Sequence, residues 1–161
     1  MRATEKAYYD RRASEYDDWW LGTGLFAGRA RPGWQEEVER LVEVVASLAP
    51  GRVVDVACGT AFLTQHLRGK VTALDQSESM LEIASLRLPG ARLVRADVPP
   101  LPFGDGELDR VFTAHFYGHL EEPTRSDFIR EARRVAGELV VVDSAGPDRE
   151  ERQPRQLNDG S

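Results

Sequence analysis

The sequence predicts an α/β fold built on a doubly wound parallel sheet, and two observations carry that prediction. Short β-branched runs ("RVVDVA", "VTAL", "RLVRA", "DRVFTA", "ELVVVD") alternate with stretches whose apolar residues recur at helical spacing. Strands alternating with helices give a parallel sheet covered on both faces. The second observation is the run "GRVVDVACGTAFLTQHLRGKVTALD" at residues 51–75. It reads as a buried strand, a tight turn of small residues, a helix, and a second strand that ends on an acid.

The elements follow in order. Residues 1–20, "MRATEKAYYDRRASEYDDWW", predict a charged, aromatic-rich helix with Tyr9, Tyr16 and Trp20 on one face. "LGTGLFAGRARPG" reads as a glycine-rich loop. Pro32 suits the approach to a second helix, whose apolar stripe runs from Trp34 through Val38, Leu41, Val42 and Val45 to Leu48. Strand one occupies 53–57 and strand two 71–74. Ser77 can cap a helix carrying Met80, Leu81, Ala84 and Leu88, stopped by Pro89-Gly90. Strand three is expected at 91–96 and strand four at 108–114. Pro123 opens a helix through Phe128, Ile129, Ala132 and Val135, and strand five follows at 139–142. The segment "ELVVVD" around it has the apolar continuity of a strand buried on both faces. Residues 1–143 are thus expected to form one domain, with 1–50 its N-terminal helical region. Residues 144–161 read as a polar tail.

Composition narrows the function classes. The 161 residues suffice for one core. A net charge of −6 and a pI near 5.2 speak against broad contact with nucleic acid. The single cysteine, Cys58, cannot build a disulfide framework and fits a reducing compartment. With no long apolar run and no signal-like N-terminus, the expectation is a cytoplasmic protein without a membrane partner.

The turn after strand one is the chemically informative segment. Small residues at Ala57, Gly59 and Ala61 let backbone approach a ligand, and a following helix would point free N–H groups at it. Asp75 stands 20 residues after Asp55, placed to accept hydrogen bonds from a ribose diol. Those are the parts of a nucleoside-cofactor site. A dinucleotide fingerprint would need its third small residue at Phe62, which argues against NAD or FAD. The alternative spacing falls on Ala57, Gly59 and Ala61. With Asp55 and Cys58, "DVACGTA" resembles the first motif, D-x-G-C-G-T-G, of the class I S-adenosylmethionine (SAM)-dependent methyltransferases. Alanine replaces glycine at two of its positions. Because alanine takes positive φ only at a cost, the turn is expected to use ordinary backbone angles or to narrow the pocket.

The resemblance implies a Rossmann-like sheet of strand order 3-2-1-4-5 and S-adenosyl-L-methionine as cofactor. It implies that the N-terminal helices form a lid, with Tyr16 against the sulfonium. It assigns Asp75 to the ribose hydroxyls with Gln76 beside it, and allows Met80 either the adenine face or the core. "RADVPPLPFGDGELDRVF" is similar to the family's G-D-A-x-x-L-P-F-x-D-x-x-F-D stretch. On that likeness Asp97 accepts from the adenine amino group and the Val98 N–H reaches a ring nitrogen. Asp55 falls near the methionine ammonium, Cys58 is a small turn residue, and Asp109 is structural. The family's sixth and seventh strands have no counterpart here, so strand five is expected to expose an edge that a homodimer or the tail would cover.

His115 and His119, in "FTAHFYGHL", lie beyond strand four. Either could be a catalytic base that takes a proton from a hydroxyl or amine acceptor, and either could simply cap or pack. A metal pair would need a third ligand that no motif supplies, so no metal is expected. The expected function is methyl transfer to a small-molecule substrate. A non-catalytic SAM-binding module or partner subunit, and a dinucleotide-dependent oxidoreductase, stand as alternatives.

Overall fold

A computed structural model describes residues 3–144, with side chains from residue 7 onward. Its centre is one all-parallel sheet of five strands: β1 (Gly51–Val56), β2 (Gly69–Asp75), β3 (Arg92–Arg95), β4 (Leu108–Ala114) and β5 (Ala136–Val142). Their spatial order is β3-β2-β1-β4-β5, as expected. The helices are α1 (Ala3–Arg12), α2 (Tyr16–Leu21), α3 (Trp34–Ser47), α4 (Glu78–Arg87) and α5 (Thr124–Val135).

Side chains alternate across the pleat, so β1 serves two cores at once. Val54 and Val56 join Leu74, Val111 and the α5 residues Phe128, Ala132 and Val135 on one face. Val53 joins Trp20, Val45 and Phe112 on the other, under α2 and α3. Burying a side chain such as Phe112 or Phe128 contributes roughly 1.5–3 kcal/mol. This two-sided burial explains why the strands read as continuous apolar runs. Ser77 caps α4 as expected, its hydroxyl accepting the Met80 N–H at 3.3 Å. Asp109 is structural: its carboxylate binds Arg52 at the exposed start of β1.

Four expectations need correction. The N-terminal helix is broken, because a 3₁₀ turn at Ala13–Glu15 separates α1 from α2, with Ala13 buried. The helix expected after the first turn is only a 3₁₀ turn, Thr64–His66. β2 begins at Gly69, in register with Gly51, which leaves too little chain for a helix. The Gly69 backbone (φ 104°) lies so close to Gly51 that a Cβ there would stand 2.2 Å from its carbonyl oxygen. β5 starts at Ala136 straight after α5, because Leu108 of β4 pairs with that residue. Finally, β5 is not buried on both faces. Val140 and Val142 pack beneath the Trp20–Phe112 core while Val141 is 38% exposed.

Among the described residues β5 pairs with β4 alone. The polar tail expected at 144–161 lies outside those residues but for Ser144, and with it the expectation that the tail covers the outer edge of β5. No helix of the described residues is long and apolar enough to cross a membrane.

Candidate functional site

Strand order reverses between β1 and β4, and open α/β sheets bind ligands in the crevice at the carboxyl ends of such strands. A cavity of about 680 Å³ opens there. Ala57 and Gly59 line it from the turn after β1, Asp75 and Gln76 from the end of β2, and Met80 from α4. Asp97 and Val98 follow from β3, and His115, Phe116 and His119 from β4. Tyr8, Tyr9 and Tyr16 close it from the N-terminal segment. Most of the residues singled out in the sequence therefore meet on one wall.

Three do not. Asp55 is 2% exposed and lies one layer below the cavity, its Oδ2 accepting the Thr64 hydroxyl at 2.6 Å. Its Oδ1 is buried without a partner. Burial raises its pKa to about 7; the Thr64 bond opposes this and Asp75 adds to it. Cys58 points its thiol at the Gly59 carbonyl, 3.5 Å away, and burial first, then Asp55 and Asp75, raise the thiol's pKa. Such a thiol is a turn residue and a poor nucleophile. Ala61 is wholly buried in the turn.

The turn overturns the expectation of ordinary backbone angles. Ala57 has φ 60° and Ala61 φ 63°, both left-handed, as is Gly59 at 55°. Two backbone bonds hold it there: Cys58 N–H donates to Leu74 O and Ala61 N–H to Cys58 O, each at 3.0 Å. A left-handed alanine costs about 1–2 kcal/mol. At Gly59 a Cβ would meet the Tyr16 ring at 3.5 Å, so the ring packs over bare backbone at that point of the turn.

Asp75, at the mouth of β2, has partners within the protein. It is 9% exposed, its Oδ2 accepting the Gly59 N–H and its Oδ1 the Ser77 N–H, each at 2.9 Å. Burial raises its pKa, against the Ser77 and Gly59 amides that lower it. Beside it, Gln76 Nε2 is a buried donor without a partner. Among the described residues that line the cavity, the formal charges are the carboxylates Asp75, Asp97 and Glu121, with no lysine or arginine.

The N-terminal segment is tied down by a latch that sequence reasoning missed. Asp10 binds the Ser77 hydroxyl at the cap of α4. Asp17 accepts the Thr60 hydroxyl at 2.6 Å and pairs with the Arg87 guanidinium, which also donates to the Thr60 carbonyl at 3.0 Å. Glu131 and Arg134 of α5 were missed too. Arg134 donates to the carbonyls of Leu101 and Phe103, and Glu131 accepts the Leu101 N–H, which clamps the proline-rich loop.

His115 is left-handed (φ 54°), with its N–H on Val142 O at 2.8 Å. Its ring meets Trp19 and Trp20 edge-on at 4.9 and 5.2 Å, and its Nδ1 lies 4.0 Å from the Asp143 carboxylate. Burial lowers its pKa, which leaves a neutral imidazole near neutrality; Asp143 opposes the shift. His119 is exposed on the same wall. Burial, with Tyr9 and Asp75 next, raises the Tyr16 pKa and keeps its hydroxyl protonated.

A second cavity, about 1170 Å³, shares Tyr8, Tyr9, Tyr16, His115 and His119 with the first. It continues among Trp19, Phe26, Arg29, Arg31 and Trp34. The glycine-rich loop that supplies part of it gave no sequence signal beyond its turn residues.

Residues 53–138, from β1 into β5, match the family described as methyltransferase domain. The chain belongs to that family. This agrees with the class I SAM-dependent methyltransferase resemblance of its motifs. The chain is 32% identical to a demethylmenaquinone methyltransferase of Thermotoga maritima over 148 residues, covering 87% of this chain and 61% of that protein. It spans about three-fifths of the length of the curated relatives it matches. Among solved structures, the DhpI–SAH complex superposes with a TM-score of 0.67 at 29% identity, covering 97% of this chain and 74% of that one. The DhpI–SAM–HEP complex gives 0.66 at 28%, covering 98% and 77%.

Proposed function

We propose that the domain binds SAM in the cavity at the β1–β4 switch point and transfers its methyl group to a small-molecule acceptor. The observation that carries this is the sign of the wall. Asp75, Asp97 and Glu121 face the cavity, and no basic side chain stands among its described lining residues. A cationic sulfonium and ammonium suit such a field, whereas the pyrophosphate of a dinucleotide is repelled by it. Phe62, stacked on Trp20 at 4.9 Å and 5°, occupies the position where a dinucleotide turn needs a small residue.

The residues present fit the cofactor. Gln76 offers a buried donor that has no partner within the protein, and Gly59 presents backbone where a side chain would approach Tyr16. Asp75 and Gln76 would hold the ribose, Asp97 and Val98 the adenine, and the aromatic faces of Tyr9 and Tyr16 the sulfonium end. When bound, SAM supplies an activated methyl group on a good leaving group. The chain's own work is then positioning and exclusion of water. Segment 1–50 acts as the lid, held by Asp10 and Asp17. The neutral imidazole of His115, at the junction of the two cavities, receives the acceptor's proton. Support for the small-molecule reading comes from the Thermotoga relative, and support for the cofactor from DhpI, solved with SAH and with SAM.

The test is release of S-adenosylhomocysteine from SAM across a panel of phenols, quinols, amines and small acids. Release that depends on one acceptor class supports transfer. Binding of SAM with no release on any acceptor would favour the non-catalytic module.

A further inference from the structure

The second cavity differs from the first in both lining and charge. Trp19, Trp34 and Phe26 give it flat apolar walls, and Arg29 and Arg31 stand among them. The Arg31 guanidinium lies 4.2 Å from the Trp34 ring centroid and 5.9 Å from that of Trp19, and donates to the Trp19 carbonyl at 2.9 Å. Arg29 lies over Phe26 at 5.0 Å. Neither arginine forms an ion pair with a carboxylate among the described residues, and their mutual repulsion adds to burial in lowering the Arg31 pKa. The other charges on this wall are largely committed. Arg12 pairs with Glu15 at 3.5 Å, and Asp143 faces His115. Arg125 donates to the Leu120 carbonyl and leaves its Nε buried without a partner. Glu37 is the exposed acid that remains.

Two arginines beside aromatic faces, neither taken up by a carboxylate of the described residues, offer an anion charged hydrogen-bond donors next to flat apolar surface. We propose that the second cavity binds an aromatic anion, a flat ring against Trp19, Trp34 and Phe26 with its carboxylate or equivalent acid on Arg29 and Arg31. Resting on the methyltransferase reading, this makes the acceptor an aromatic acid. A cationic donor then enters from the acidic cavity and an anionic acceptor from the basic one, and they meet at His115. The neutral rings leave a hydroxyl or ring carbon free to point toward the shared wall.

The experiment uses the full chain saturated with S-adenosylhomocysteine, whose own binding is measured first. Failure of that first step would sink the methyltransferase reading. The inference is read separately, by tryptophan fluorescence and calorimetry with para-hydroxybenzoate and its uncharged methyl ester, with or without S-adenosylhomocysteine. We expect the acid to bind about tenfold tighter than the ester, the equivalent of one strong charged contact. The preference should disappear in Arg29→Gln, whose side chain is exposed and whose fold is not at risk, and in Arg31→Met. Equal affinity for acid and ester, preference for the ester, no binding of either, or an undiminished preference in a folded Arg29→Gln would overturn the proposal.

Discussion

Asp75 binds Gly59 and Ser77 through its two oxygens, so at the residue scale it holds the turn and the start of α4 in place before any ligand arrives. Asp75→Ala should therefore cost about 1–3 kcal/mol of stability as well as cofactor affinity, since two buried amides lose their acceptor. Chemical denaturation measures the first and calorimetry the second. Unchanged affinity for S-adenosylhomocysteine in a folded variant would remove Asp75 from the site. Asp55 gives a prediction of opposite character. Its folded pKa, about 7, lies above the unfolded carboxyl value, so the folded state holds the extra proton. The associated stability is complete below about pH 4 and is lost as the pH rises toward 7. Melting temperature should fall over that window, and Asp55→Asn should flatten the curve; an identical slope in the variant would show that another group is responsible. For His115 the lowered pKa places the ascending limb of turnover below about pH 6.5, with a plateau at neutrality. His115→Ala should abolish that limb. A limb that persists in the variant would assign the base elsewhere.

Among the elements, the latch between the N-terminal segment and the cofactor turn gives the most direct test. Asp17 reaches Thr60 and Arg87, and Asp10 reaches Ser77, so α1 and α2 are tied to the turn and to α4. Asp17→Ala should weaken S-adenosylhomocysteine binding about tenfold, on the order of 1.4 kcal/mol, by loosening the lid. Amide exchange over residues 8–21 should accelerate while the β1 and β4 amides stay protected. Equal exchange in both proteins would mean that the Asp17 ties do not hold the segment, which then rests on the Asp10 contact and the packing of Trp20. These ties were invisible in the sequence because the partners lie far apart along the chain and an Asp-rich helix looks the same whether or not it is latched. β4, by contrast, was legible to its exact bounds, since an apolar β-branched run stands between a Gly-Asp-Gly turn and a His-rich one. The missing helix after the turn was not: Phe62, Leu63, His66 and Leu67 fit helical spacing, but the pairing of Gly51 with Gly69 sets the available length. Likewise the left-handed Ala57 and Ala61 follow from hydrogen bonds to Leu74 and Cys58, which no local preference of alanine announces.

For the whole molecule, the parallel α/β class was readable from the alternation of strands and helices, and the order of the strands from the family resemblance that the motifs carry. The second cavity was not, since it arises where α2, the loop before α3 and the end of β5 converge. The picture that results is of two adjoining cavities of contrasting charge that meet at His115. Its central claim, a site for a cationic nucleoside cofactor and not for a dinucleotide, is tested most directly by calorimetry with S-adenosylhomocysteine and NADH on the same preparation. We expect micromolar binding of S-adenosylhomocysteine, on the order of −8 kcal/mol, and no heat from NADH. Saturable NADH binding with no response to S-adenosylhomocysteine would contradict it.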